Sequence, residues 1–319
     1  MARRDLRQFG LADGLVQRRG KKSAWLDQLN AAIDWAAVEK IADGIYASRE
    51  GGLAYPLLTY LKLLLLQQWY GLSDEGLEAA VDDRLSFRRF AGIPLAESVP
   101  DHSAIWRFRE QLARRGLAEG VLAEVNRQLD AKGLIVRRGT LIDASILKAA
   151  VKPPQGDAGE VSPRDPDAGW TKKNGKSRFG YKAHAAVDEG SGLVRQAIMT
   201  PADVHDSVKA DELVQGDEAA VYADKAYDDA ARRTRLKARG IAVRIMYQAR
   251  RNKPLKSWQV WFNKAVAPIR AGGERLFGTM KRAYGYRRVR YHGLARNNVQ
   301  LQFLCTAINL RRGLKLGLA

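Results

Sequence analysis

Cysteine is nearly absent from this chain: Cys305 is the only one in 319 residues. That excludes an internal disulfide and any zinc site built on cysteine pairs. Histidine is scarce as well. His102, His184, His205 and His292 stand far apart, without the close spacing of a metal site. No apolar run approaches the ~20 residues that a membrane-spanning helix needs. The opening MARRDLRQFG lacks the apolar centre of a secretory signal. The most informative shortage is of acidic residues. Lys and Arg number 54 against 35 Asp and Glu, a net charge of +19. From Ala230 to Ala319 there are twenty-two Lys and Arg and a single carboxylate, Glu274. Such an excess points to a polyanionic partner, nucleic acid before anionic membrane. The expectation is a cytoplasmic protein that works on nucleic acid.

The stretch IRAGGERLFGTMK, 269–281, surrounds that lone carboxylate. At about 100° per residue, Arg270, Glu274 and Lys281 fall within roughly 40° of one another on a helix. Ile269, Leu276, Met280 and Ala283 form a separate apolar face. One face therefore packs inward and an Arg–Glu–Lys row runs along its edge. By itself the row is also consistent with an ordinary surface ion pair, worth a few tenths of a kcal/mol. Two aspartates upstream favour a site.

Taken in order, the first 50 residues are mixed and polar, with a helix predicted around Trp25–Ile41. PLLTYLKLLLLQQWY, 56–70, reads as a buried helix with Pro56 in its first turn. Ser73 or Asp74 caps a helix to about Asp83, and a short helical turn follows near Phe87–Phe90. Asp101 or Ser103 caps another, to about Arg115. These three short helices, 73–115, resemble a helix-turn-helix with Trp106, Arg107 and Arg109 on the last one. A plain helical bundle fits the same pattern. Residues 117–132 make one more helix, ended by Gly133.

The texture changes at Leu134. LIVRRGTLIDASIL is a β-branched run carrying Asp143. Lys152–Arg178, rich in Pro, Gly and Asp, reads as a long loop. FGYKAHAAVD and LVRQAIMT are two strands joined by a turn at Asp188–Gly192. A helix over His205–Leu213 and a strand AAVYAD ending at Asp224 come next. A helix over Asp228–Arg239, a strand IAVRIMY and the Glu274 helix complete the order. That succession predicts an α/β fold, an RNase H-like mixed five-stranded sheet with flanking helices, preceded by an all-α N-terminal domain. The domain boundary falls between 1–133 and 134–319. In such a sheet Asp143 and Asp224 lie on neighbouring strands, and the final helix brings Glu274 to them. Three converging carboxylates need cations, and hard oxygen ligands suit Mg²⁺ or Mn²⁺. Two such ions can activate a water or a 3′-OH against a phosphodiester.

Several motifs together resemble the bacterial insertion-sequence DDE transposases of the insertion-sequence-five group, related to the insertion-sequence-four group. They are LIDASIL around Asp143, FGYKAH at 179–184, VD at 187–188, TPADVHDS at 200–207 and YADKAYDD at 222–229. With them stand Arg270, Glu274 and Lys281 in their spacing, the basic tail YGYRRVRYHGLARN at 284–297, and VPDHSAIWRFREQL at 99–112. The resemblance covers nearly the whole chain. It implies a nucleoid-associated bacterial enzyme that binds the inverted repeats ending its own element. It implies Asp143, Asp224 and Glu274 as catalytic ligands of two Mg²⁺ ions, with no nucleophile on the protein. It implies double-stranded DNA as partner and a homodimer on paired ends. Ala267 stands where insertion-sequence-four relatives often carry Tyr. Only 50 residues separate Asp224 from Glu274, too few for the large β insertion of hairpin-forming relatives. Both departures weigh against a hairpin intermediate.

Candidate DNA contacts are Arg270, Lys281, Arg282, Arg287, Arg288, Arg290, Lys182, Arg107 and Arg109; a solvated basic face is the plain alternative for the arginines, and sheet packing is the alternative for Lys182 beside Tyr181 and His184. His205 either orients a metal ligand or, by preference, caps the next helix beside Asp203 and Asp206. Asp228 and Asp229 read as caps. Trp258 and Trp261 read as core, with base stacking as the second choice. Gly272 and Gly273 suggest a helix that starts at Pro268 or bends there, or a backbone that DNA approaches closely. Two other classes share these features: an RNase H-like nuclease without strand transfer, and a non-catalytic DNA-binding relative.

Overall fold

A computed structural model describes residues 6, 10, 24–45, 54–154, 161–173 and 175–318. Most of the first 23 positions, and 155–160 within the expected loop, lie outside them. The chain divides into two compact units. One joins Met1–Lys132 with Gln302–Ala319, and the other is Gly133–Leu301. The end of the chain thus belongs with the helical unit, where the sequence suggested the second domain.

The helical unit begins with α1 (Ala24–Ala32) and α2 (Trp35–Lys40), where one helix was expected. Asp34 breaks it. Its backbone is extended and its carboxylate accepts the N–H groups of Ala36 and Ala37 at 3.1 and 3.2 Å, capping α2 instead of continuing α1. Helix α3 (Leu57–Tyr70) is buried along nearly its whole length and stops at Gly71, which takes the left-handed conformation. Then come α4 (Asp74–Asp83), α5 (Leu85–Ala91), α6 (His102–Arg115) and α7 (Ala118–Ala131). Ser73 caps α4 through the Gly76 N–H at 3.0 Å, and Asp101 caps α6 through that of Ala104 at 2.5 Å. Phe87, Phe90 and Phe108 are fully buried, and the Tyr60 ring stacks on Phe108 with centroids 4.9 Å apart.

The second unit is built on a mixed sheet. Its strands are β1 (Thr140–Lys148), β2 (Gly169–Lys173), β3 (Lys176–Asp188), β4 (Val194–Pro201), β5 (Ala220–Ala223) and β6 (Ala242–Ile245). Strands β1, β3 and β4 are antiparallel neighbours; β5 runs parallel to β1, and β6 parallel to β5. The order β4–β3–β1–β5–β6 is that of an RNase H-like fold. Helix α8 (Ala230–Ala238) joins β5 to β6. Ile142, Val221, Tyr227, Leu236, Ile241 and Ile245 share one apolar core. After β6 come the long helix α9 (Ser257–Ala283) and α10 (Leu294–Lys315).

Two expectations are corrected. The Lys152–Arg178 stretch is not a bare loop. Strand β2 pairs with the start of β3, making a sixth strand. Before it, the buried Asp165 accepts hydrogen bonds from the Tyr181 hydroxyl at 2.5 Å and the Gly293 N–H at 2.9 Å. Asp165 draws its fixing contacts from far along the chain. The helix expected over His205–Leu213 is only a short 3₁₀ turn, Asp206–Lys209. His205 caps it by accepting the Ser207 N–H at 3.3 Å.

Candidate active site

Parallel pairing of β1 with β5 ends at Ile142 opposite Ala223. One residue further, Asp143 and Asp224 occupy neighbouring positions on strands about 4.8 Å apart. The Asp143 carboxylate accepts the N–H of Ala144 at 2.9 Å. Asp224 ends β5 and opens the short turn Lys225–Tyr227, accepting the Lys225 N–H at 2.7 Å. Burial pushes the Asp143 carboxyl up to about 6, against the pull of the Ala144 bond and of Arg270; Glu274 pushes it further up.

Helix α9 delivers the third carboxylate. It begins at Ser257, not at Pro268, with the Gln259 side chain accepting the Lys256 N–H at 2.9 Å. Pro268 lies inside the helix. The glycine pair serves packing against β1. A Cβ on Gly273 would stand 3.4 Å from the Asp143 Cβ, and one on Gly272 would stand 2.7 Å from the Leu141 Cδ1. At Gly273 a side chain longer than a methyl group would push α9 off β1 at the position of Asp143. Glu274 follows immediately. Its side chain is 56% exposed and bonded to Arg270, whose guanidinium lies 4.0 Å from Asp143. About two turns along, the Lys281 ammonium donates to the Ser145 hydroxyl. Ser145 is two residues beyond Asp143, on the same face of β1. Burial, then Lys173, Arg178 and Arg287, depress the Lys281 ammonium.

Tyr227 was not singled out from the sequence, although it lies in the YADKAYDD motif. Its hydroxyl is buried without a hydrogen-bond partner among the described residues. Burial raises it strongly, and Asp206, Asp143 and Asp224 raise it further. Three carboxylates therefore crowd one buried phenol. Nearby, His184 is fully buried and bonds the Thr200 hydroxyl at 2.9 Å. Burial lowers its imidazole to about 4, which keeps it neutral near pH 7.

The candidate DNA contacts separate into two groups. Arg109 is only 3% exposed and forks onto Asp74 inside the helical unit. Lys182 is buried too, donating to the Val204 carbonyl at 2.6 Å and pairing with Asp206 at 2.8 Å. Both side chains are spent on the fold: for Arg109 this corrects the expected DNA contact, and for Lys182 it is the packing alternative. Arg107, Arg282, Arg287, Arg288 and Arg290 are exposed, and Arg270 is held on Glu274. Lys281, Arg287 and Arg288 line a cavity of roughly 470 Å³ together with Lys148, Arg178 and Ile146. Its wall is backbone-bonded: the Lys148 N–H donates to the Arg287 carbonyl at 3.1 Å, and the Val289 N–H to the Lys148 carbonyl at 2.9 Å. No carboxylate lines it. Lys148 and Arg178 escaped the sequence reading, because only this bridge between β1 and the basic tail brings them there. Trp258 and Trp261 are exposed, not core. Asp229 caps α8 through the Arg232 N–H at 2.7 Å, whereas Asp228 binds Arg233 and the Gln248 N–H.

An RNase H-like sheet with one aspartate within its first strand, another just past the end of the neighbouring strand, and a glutamate on the helix packed against the first strand has the arrangement of a DDE fold. Residues 135–310 match the family described as Transposase DDE domain, and residues 15–111 match Transposase domain (DUF772). The chain belongs to the DDE transposase family. No solved structure matches it. Among the described residues no helix is long and apolar enough to cross a membrane.

DDE transposases generally use divalent metal ions. The donor set suits such an ion: hard carboxylate oxygens, one of them buried enough to resist ionisation by itself. Arg270 already serves as a cation between Asp143 and Glu274. Among the described residues no three acidic or His/Cys side chains are gathered tightly enough for one ion. Glu274 is turned to Arg270, so a shared ion requires that carboxylate to swing toward Asp143.

Proposed function

We propose that this DNA transposase belongs to the insertion-sequence-five group and binds the terminal inverted repeats of its own element. Asp143, Asp224 and Glu274 are its catalytic carboxylates. The observation that carries this is the register of β1 and β5, which sets Asp143 beside Asp224, with Gly273 seating the Glu274 helix against Asp143. Two Mg²⁺ ions, or Mn²⁺ in their place, would supply Lewis acidity toward the attacking and leaving oxygens when bound. Asp143 within β1 and Asp224 just past the end of β5 hold fixed positions, and Glu274 closes the set from the helix. Lys281, Arg287 and Arg288 hold the phosphate backbone beside them, and the exposed Arg107 belongs to the end-binding helical region.

Water attacks phosphorus at the element boundary, the bond to the 3′ oxygen breaks, and a 3′-OH is exposed on the element. That hydroxyl attacks a target phosphodiester in line and displaces a target 3′ oxygen. Joining two ends at once calls for a homodimer on paired ends, in a cytoplasmic, nucleoid-associated setting. The test mixes purified protein with plasmid carrying the element's ends, in Mg²⁺ or EDTA, and maps the 3′ ends for wild type and Glu274→Gln. Metal-dependent boundary cuts, lost in the variant, and joined products are expected. Cuts without joined products would reduce the protein to a nuclease. Full activity in Glu274→Gln would remove Glu274 from the site.

A further inference from the structure

The first half of α9 carries two indoles where a solvated helix would normally carry polar side chains. Trp261 is 70% exposed and Trp258 is 53% exposed. The segment is firmly anchored. The Trp258 ring meets Tyr247 edge-on at 5.1 Å, and Phe262 meets it at 5.3 Å. The Arg233 guanidinium lies 3.9 Å from the Tyr247 ring centre. Asn263 bonds the Tyr247 N–H and carbonyl at 2.8 and 3.0 Å. The helix is thus fixed to the end of β6 while the outer indole surfaces stay open.

The surroundings indicate what covers them. Lys264 on the helix, and Arg251, Lys253 and Lys256 just before it, are all exposed. The only carboxylate after Ala230 is Glu274, about 140° around the helix from Trp261. Lys264 and Arg275 lie within roughly 60° of Trp261 on the same side. A second copy of this chain would bring the same cations against themselves. Charge selects a polyanion, and two exposed indoles select one with ring faces to offer. Duplex DNA hides those faces in its stack; an unpaired strand presents them.

We propose that this outer face of α9, turned away from Glu274, binds unpaired nucleotides, with Trp261 and Trp258 stacking on bases and Lys264 and Arg275 taking phosphates. It rests on the transposase reading only in making the strand DNA. The test measures binding of the full-length protein to a labelled oligothymidylate and to an equally long duplex bearing the element's end. Trp261→Ala should weaken oligothymidylate binding about tenfold, with duplex affinity and melting temperature unchanged, and Trp261→Phe should recover most of the loss. Unchanged oligothymidylate binding in Trp261→Ala would overturn the proposal. So would equal losses on both DNAs, or a wild-type dimer that Trp261→Ala makes monomeric with strand binding intact. Wild type that binds the duplex end but no oligothymidylate sinks this inference alone; wild type that binds neither sinks the transposase reading with it.

Discussion

Asp143→Asn should make the metal-free protein more stable near neutral pH. In the folded chain the Asp143 carboxyl is pushed up to about 6, against about 3.9 in an unfolded chain. The raised value means the folded state holds this proton more tightly. Its stabilising effect is complete below about pH 4, and is lost as pH rises through about 6. Each tenfold in proton affinity is worth roughly 1.4 kcal/mol, so the ionised carboxylate costs the fold on the order of 3 kcal/mol above that range. Asparagine keeps an acceptor for the Ala144 N–H and removes the charge. The attraction to Arg270, 4.0 Å away, is already contained in that net shift, so the gain is on the order of 3 kcal/mol, or roughly 6–12 °C in melting temperature. The assay is a set of melts of wild type and variant in EDTA across pH. The difference should be largest near pH 8, shrink through about pH 6 and vanish near pH 4. Mg²⁺ at about 100 times its dissociation constant should then stabilise wild type by roughly 2.7 kcal/mol and the variant by much less. No gain near pH 8, or a gain independent of pH, would refute the burial of this carboxylate as the cause.

Gly273→Ala should be near neutral, since its Cβ would just touch Asp143 and helix propensity rises by up to about 1 kcal/mol. Gly273→Leu should lift α9 and, by shifting Glu274 about 1 Å, lower boundary cleavage on the order of a hundredfold in a protein that still melts cooperatively; undiminished cleavage would mean the close approach is not needed. Arg109→Ala should cost roughly 3 kcal/mol by stranding Asp74, read as a lower melting temperature with the salt dependence of DNA binding unchanged. Arg287→Ala and Arg288→Ala should each reduce the slope of log affinity against log salt by about 0.9 on duplex DNA; an unchanged slope would take the cavity out of the DNA path.

The elements that could be read from sequence were those whose cause is local. β-branched runs mark β1, β3 and β4, and Ser73, Asp101 and Asp229 mark helix starts by their own hydrogen bonds. The chain order of strands and helices was then enough to give the order of the sheet. What escaped depends on distant partners. Asp165 is fixed by Tyr181 and Gly293, so the stretch around it read as loop. Gly272 and Gly273 look like helix breakers until Leu141 and Asp143 are set beside them. Charged residues usually read as exposed, yet Arg109 and Lys182 are each buried with an acid far away in sequence. Pro268 looked like a first helical residue, but α9 runs eleven residues ahead of it, held there by Asn263 and Phe262 on Tyr247.

The shortage of acid near the C-terminus acquires a physical meaning in this arrangement. Several arginines of the second unit are neutralised by acids that precede Ala230: Arg195 and Arg137 by Asp217, Arg232 and Arg235 by Asp211, Arg233 by Asp228. Those pairs hold the sheet and α8 together. On α9 and the basic tail the pattern changes. Lys264, Arg275 and Arg288 are exposed without a partner among the described residues, as are Lys148 and Arg178 on the strands beside them. They fall on two sides of α9, one group at the cavity beside Lys281 and the other on the outer face with Trp261. Between them stands Glu274, paired among the described residues with Arg270 four residues earlier. A further acid on this helix would cancel part of the field that draws a phosphate chain in. It would also compete for any cation the three carboxylates share. One acid at this position can complete the site while leaving both basic faces unneutralised. The isolation of Glu274 is thus what the proposed chemistry calls for.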